Sequence, residues 1–145
     1  MYLSLGSNLG RRRSLIRRAI ELLSVRVGTV VRQSSLIETE PWGFESDNRF
    51  MNAVILCETT LTPREVLLTT QQIERDMGKQ KQHATRRSQI SKCKPQVSNY
   101  KDRPIDIDIL LYDDLRVDEP DLKIPHPLMR ERDFVMIPLC EISSP

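Results

Sequence analysis

The sequence predicts an α+β domain, an antiparallel sheet with helices packed on it. Three observations point there: apolar residues at helical spacing over 15–23, a proline-bearing capping box at Thr62, and an alternating run at 105–112 that reads as a strand. A chain of 145 residues holds one core and leaves little for a second, so residues 1–145 are expected to form a single domain.

Tyr2 to Leu5 reads as a short strand, and Gly6-Ser7-Asn8-Leu9-Gly10 as a turn-rich stretch where a helix begins. In that helix Leu15, Ile16, Ala19, Ile20, Leu22 and Leu23 share one face, Arg11, Arg12, Arg13, Arg17 and Arg18 take the other, and the end falls before Gly28. Thr29 to Thr39 and Phe50 to Thr59 are rich in β-branched and aromatic residues and read as two strands around a polar loop with Pro41 and Gly43. Thr62-Pro63-Arg64-Glu65 combines a capping box with proline at the first helical position, and Gly78 marks the stop, so a second helix spans roughly Pro63 to Met77. Ile105 to Tyr112 is the next strand, with Ile105, Ile107, Ile109 and Leu111 expected on one side. The order is the ferredoxin-like βαββαβ pattern. Ile124-Pro125-His126-Pro127 then reads as extended, with short helices over Leu128 to Arg132 and Phe134 to Glu141: a helical C-terminal extension able to cover the sheet's other face.

Hydrophobic residues at 39% and charged residues at 29% describe a chain that folds rather than one that stays disordered. No apolar run approaches the roughly 20 residues of a membrane span, and the start Met-Tyr-Leu-Ser-Leu-Gly lacks a charged region followed by a long apolar one. A cytoplasmic protein with no membrane partner is expected. Cys57, Cys93 and Cys140 are odd in number and scattered, which fits neither a disulfide framework nor a zinc site, so reduced thiols are expected. No coiled-coil repeat or conspicuous apolar stripe is left over, and a monomer is the default. Net charge is only +2, yet Lys79 to Arg103 holds eight Lys or Arg against Asp102 alone. By itself that segment suits a solvated loop as well as a phosphate-binding one.

The sharpest chemical feature is Asp106-Ile107-Asp108. Strand alternation puts both carboxylates on one face, roughly 6 to 7 Å apart at the backbone. An isolated Asp-x-Asp is more often a solvated pair on an exposed face, but two like charges among isoleucines are costly unless something positive neutralises them. Mg²⁺ favours oxygen ligands together with substrate phosphates, and a clamp of two ions fits such a pair in phosphoryl transfer. Arg103, three residues earlier, can meet the same phosphates, with Lys79 and Lys101 assisting. His126, between two prolines and followed by Arg130 and Arg132, can bind a phosphate oxygen, although a lone histidine is more often structural. Thr39-Glu40-Pro41-Trp42-Gly43 and Phe50-Met51-Asn52 offer backbone groups, an amide and aromatic surface to a flat heterocycle. Asn52 donates and accepts at once, which suits the amide edge of a guanine-like ring, and Phe50 or Phe134 can stack on it.

Taken together, Gly6-Ser7-Asn8-Leu9-Gly10, Phe50-Met51-Asn52-Ala53, Gln71-Gln72-Ile73-Glu74, Arg103-Pro104-Ile105-Asp106-Ile107-Asp108 and Ile124-Pro125-His126-Pro127 resemble the 6-hydroxymethyl-7,8-dihydropterin pyrophosphokinase family, in order, from residue 2 to about residue 143. The resemblance implies the ferredoxin-like fold and transfer of diphosphate from ATP to the pterin's hydroxymethyl group in folate biosynthesis, with AMP leaving. It implies that Asp106 and Asp108 hold two Mg²⁺ and that Arg103 and Lys79 act on the transferring group. Gln71, Glu74, Lys101, His126 and Arg132 are implied on the ATP side. Thr39, Glu40, Trp42, Phe50, Asn52, Tyr100 and Phe134 are implied on the pterin side. Lys79 stands where some members carry a catalytic arginine, keeping the charge but losing the bidentate fork. Tyr100 stands about where compact versions of the 79–102 loop have tryptophan. The competing readings are a ferredoxin-like nucleic-acid-binding module, suggested by the basic segment and Tyr100, and another Mg-dependent nucleotidyltransferase. The first leaves the aspartate pair unexplained and the second the pterin-side residues, so no nucleic-acid partner is expected.

Overall fold

The computed structural model describes residues 1–39, 49–79 and 104–143, residue 79 by its backbone alone. In chain order the elements are β1 (Tyr2–Ser7), α1 (Arg12–Arg26), β2 (Gly28–Gln33), β3 (Ile37–Thr39), β4 (Phe50–Thr59) and α2 (Pro63–Glu74), which runs into a π turn (Arg75–Lys79). There follow β5 (Asp106–Leu111), a hairpin of β6 (Val117–Glu119) and β7 (Leu122–Ile124), a 3₁₀ turn (Met129–Glu131) and α3 (Asp133–Ser143). The α+β class is as expected. The sheet runs β2-β4-β1-β5 with β3 also on β4, and every pairing is antiparallel.

Side-chain alternation divides the sheet into two faces. Leu3, Leu5, Ala53, Ile55, Ile107 and Ile109 turn to the helices and pack with Ile16, Ala19 and Leu23 of α1 and Val66 and Ile73 of α2. Fully buried Ile16 and Leu23 each contribute about 1.5–3 kcal/mol of apolar transfer. That packing carries α1, because Arg11 at its N-cap makes no capping bond with its side chain and its first turn holds no acid. The opposite face begins with Val54 and Leu110, which pack against Met129 and against Val135, Leu139 and Ile142 of α3. The C-terminal extension therefore covers the second face, but only one end of it.

Helix α2 opens as expected: Glu65 N–H donates to Thr62 Oγ1 at 3.1 Å, and Thr62 N–H donates to Glu65 Oε1 at 2.9 Å. Its close differs, since the last turn before Gly78 is a π turn rather than continued α-helix. Gly78 sits at φ +138°, and a Cβ there would lie 3.2 Å from Pro104 Cγ, so only glycine lets the chain leaving α2 lie against the chain entering β5.

Four other departures have local causes. The first strand runs through Gly6 and Ser7, which pair with Asn52 and Met51 instead of forming a turn. The expected strand over Thr29 to Thr39 is split, because at Ser34 the side chain takes the place of a carbonyl: Val54 N–H donates to Ser34 Oγ at 2.9 Å while Ser34 N–H donates to Val54 O. Leu111 does not face the side of Ile105, Ile107 and Ile109. The β1–β5 register passes from Leu3↔Ile109 to Tyr2↔Leu111, and the extra Leu110 turns both leucines to the α3 side. The β6–β7 hairpin was not anticipated, although Pro120-Asp121 between alternating residues is a turn signal. Among the described residues Cys57 is a buried free thiol and Cys140 an exposed one; Cys93 lies outside them.

Candidate active site

The end of the second sheet face left uncovered by α3 is crossed by one row of three strands. Gly6 of β1 pairs with Asn52 of β4 on one side and with Asp106 of β5 on the other, and Ser4, two residues back, pairs with Val54 and Asp108. Asn52, Gly6 and Asp106 thus stand side by side, with Asn52 and Asp106 about 10 Å apart across two strand spacings. Gly6 is buried between them. A Cβ on Gly6 would come within 2.9 Å of Asn52 Oδ1 and 3.5 Å of the Phe50 ring, so both side chains lean over the glycine.

Asn52 is buried, and its amide is held by a neighbour: Nδ2 donates to Thr39 Oγ1 at 2.8 Å across the β3–β4 pairing. The two strands are tied further by Arg12, whose Nη1 meets Glu38 Oε2 at 2.7 Å and Arg49 O at 2.8 Å. The Arg12 guanidinium holds the Glu38 carboxyl below its usual range.

On the β5 side, Asp106, Asp108, His126 and Arg132 line one cleft of about 490 Å³. Its other walls come from Leu67 of α2, the β6–β7 turn from Pro120 to Lys123, and Pro127 and Leu128. The turn is anchored on α2 by Arg64, which meets Asp121 at 2.7 Å and also Glu119. A cis bond joins Ile124 to Pro125, and His126 N–H then donates to Leu110 O at 3.0 Å, which brings the imidazole beside β5. Leu128 N–H donates to His126 Nδ1 at 3.1 Å. A ring nitrogen that accepts carries no proton, so the hydrogen resides on Nε2 and the imidazole is a neutral donor. Burial pushes the His126 pKa below its ordinary 6.5, the Arg132 charge pushes the same way, and Asp106 opposes both. Buried Arg132 lies with its guanidinium carbon 5.5 Å from the Phe134 ring centre, and Phe134 packs at the margin of the α3 cluster.

Glu74 does not line this cleft. Its Oε2 accepts the N–H of Ile107, the residue between the two aspartates, at 2.7 Å. Gln71, one turn earlier on α2, is half-buried. Glu40, Trp42, Tyr100, Lys101, Arg103 and the side chain of Lys79 lie outside the described residues. Sequence reasoning passed over Leu67 and the 120–123 turn, which form the cleft's walls.

The donor set suits a hard divalent ion shared with phosphates. Asp106 and Asp108 bring carboxylate oxygens to one strand face, and among the described residues no group of three or more His, Cys, Asp or Glu forms an all-protein cage. Mg²⁺ is commonly held by one or two carboxylates plus substrate phosphates, so the residues present fit it. The cleft combines an apolar wall, a neutral imidazole, a guanidinium and the paired carboxylates. Among the described residues no helix is long and apolar enough to cross a membrane.

Comparison with known proteins gives one consistent result. Residues 2–144 match the family model described as 7,8-dihydro-6-hydroxymethylpterin-pyrophosphokinase. A 2-amino-4-hydroxy-6-hydroxymethyldihydropteridine pyrophosphokinase of Porphyromonas gingivalis is 46% identical over 147 residues, covering 99% of this chain and 90% of that protein. Proteins of the same description from Aquifex aeolicus and Bacillus subtilis are each 37% identical over 142 residues, covering 98% and 97% of this chain and 79% and 76% of theirs.

Proposed function

The chain belongs to the 7,8-dihydro-6-hydroxymethylpterin-pyrophosphokinase family, and from that premise we propose how its residues divide the work. The protein is a pyrophosphokinase of folate biosynthesis, with ATP and a hydroxymethyl-dihydropterin as its small-molecule substrates. ATP takes the cleft beside β5, its base against Leu67 and the 120–123 turn and its phosphates toward Asp106, Asp108, His126 and Arg132. The pterin takes the β4 side of the same row, with the Asn52 amide on its polar edge and Phe50 on its face. Glu40, Trp42, Tyr100 and Phe134 complete that side, and Lys79, Lys101 and Arg103 the phosphate side. Asp106 and Asp108 hold two Mg²⁺. When bound, those ions neutralise phosphate charge that the two carboxylates would otherwise repel.

The observation that carries this reading is the row Asn52, Gly6, Asp106 across three adjacent strands. It supports a heterocycle reader and a phosphate centre on one face, about 10 Å apart, which is the span of a pterin whose exocyclic hydroxymethyl reaches toward the phosphates. The chain's own contribution is then positioning and electrostatics. Asn52 and Phe50 orient the ring so that its hydroxyl points along the row. His126 donates from Nε2 and Arg132 from its guanidinium to phosphate oxygens, and Arg103 stabilises charge that develops on the transferring group. Attack falls on the β-phosphorus, AMP leaves, and the diphosphate moves intact. We read residues 1–145 as one such domain, monomeric and cytoplasmic.

Product identification tests the reading. ATP labelled in the γ-position, incubated with Mg²⁺ and 6-hydroxymethyl-7,8-dihydropterin, is expected to give unlabelled AMP and an equal amount of pterin diphosphate labelled on its terminal phosphate. ADP with a pterin monophosphate would overturn diphosphoryl transfer.

A further inference from the structure

We propose that Glu74 is a positioning residue for the aspartate pair: by accepting the Ile107 N–H it sets the backbone from which Asp106 and Asp108 project. The inference rests on the metal-binding reading of those two aspartates. It begins with a carboxylate held inside the protein. Glu74 stands where the α-helical part of α2 passes into the π turn. It is also 9% exposed, and a buried carboxylate needs donors. One donor that reaches it belongs neither to its own helix nor to a neighbouring turn but to β5, 33 residues away.

Among the described residues β5 is the edge of the sheet, with β1 on one side only. Edge amides that face outward ordinarily bond water and leave the strand free to twist. At Ile107 the outward N–H is held instead by Glu74 Oε2 at 2.7 Å, a length typical of charge-assisted bonds. The peptide planes on either side of Ile107 carry the Cα atoms of Asp106 and Asp108. Rotation there would swing the two carboxylates relative to each other, and a shared ion tolerates errors of only about 0.5 Å. Because α2 also supplies Leu67 to the cleft, one helix sets both the nucleotide wall and the metal strand.

Two substitutions separate the hydrogen bond from the charge. Glu74→Gln keeps an acceptor oxygen at the same reach without charge, and Glu74→Asp keeps the charge but falls one methylene short. The measurement is Mn²⁺ binding, followed by electron paramagnetic resonance with α,β-methylene-ATP present, together with hydrogen exchange of the Ile107 amide. The expected order is that Gln stays within about threefold of wild type in both, while Asp weakens Mn²⁺ binding at least ~10-fold and accelerates Ile107 exchange, as loss of a partner behind a metal ligand does. The reverse order, or equal loss in both variants with Ile107 still protected, would assign Glu74 to charge and overturn the inference. Asp106→Ala is the control. If it loses Mn²⁺ while both Glu74 variants bind as wild type, the inference alone fails. If it binds as wild type, the metal reading fails and the inference falls with it.

Discussion

Asn52 donates its Nδ2 hydrogen to Thr39 Oγ1 at 2.8 Å, so this buried amide has its orientation set by a hydroxyl on the neighbouring strand. A buried amide with one hydrogen committed presents its remaining donor and its oxygen in a fixed direction. Thr39→Val removes that acceptor at nearly constant volume. A net hydrogen bond of about 1 kcal/mol corresponds to roughly fivefold. The pterin KM is expected to rise about five- to tenfold, with kcat and the ATP KM little changed. Steady-state kinetics with each substrate varied in turn checks this, and an unchanged pterin KM would remove Asn52 orientation from the account.

The chemistry at His126 carries a pH signature. Its pKa lies below the ordinary 6.5, chiefly through burial and then through Arg132, so the folded protein binds this proton less readily than the unfolded chain. The resulting stability is fully present above about 6.5 and is lost as pH falls from there through the folded-state value. Protonation would also put a hydrogen on Nδ1, opposite the Leu128 N–H that now donates to it. An NMR titration of the His126 ring, assigned with His126→Gln, should show a midpoint below 6.5, with nucleotide affinity flat above it. A midpoint at or above 6.5 would contradict the neutral-donor assignment.

Arg103 stands three residues before the aspartate pair, at the end of the basic run. A contact made mainly in the transition state lowers kcat when removed and leaves binding alone. Arg103→Ala is therefore expected to reduce turnover by ~10² to 10³ with nucleotide affinity little changed. Single-turnover kinetics beside equilibrium binding of an ATP analogue separates the two effects. A fall in affinity alone would make Arg103 a binding residue.

Much of the site was legible because its signals are local. The strand bearing Asp106 and Asp108 follows from alternation, and the start of α2 from a capping box whose two reciprocal bonds both form. The split at Ser34 was not legible, because one hydroxyl replacing one carbonyl leaves the β-rich composition of 29–39 untouched. The face of Leu111 was misjudged for a similar reason: a single extra residue, Leu110, reverses the parity of everything after it. Glu74 could be recognised as part of a motif, but the Ile107 N–H that it accepts lies 33 residues away on β5, a relationship that no periodicity encodes. The 117–124 hairpin had a usable signal in Pro120-Asp121 that the reading passed over.

The central claim is that the outward face of β5 organises the phosphates through Asp106 and Asp108, and replacing each by alanine tests it most directly. Both side chains are only partly buried, so each variant should unfold within a few degrees of the wild type in a thermal melt. Formation of AMP and pterin diphosphate, measured across a range of Mg²⁺ concentrations, is expected to fall at least ~10³-fold in each variant and not to recover at high Mg²⁺. Near-wild-type turnover in both folded variants would contradict the account.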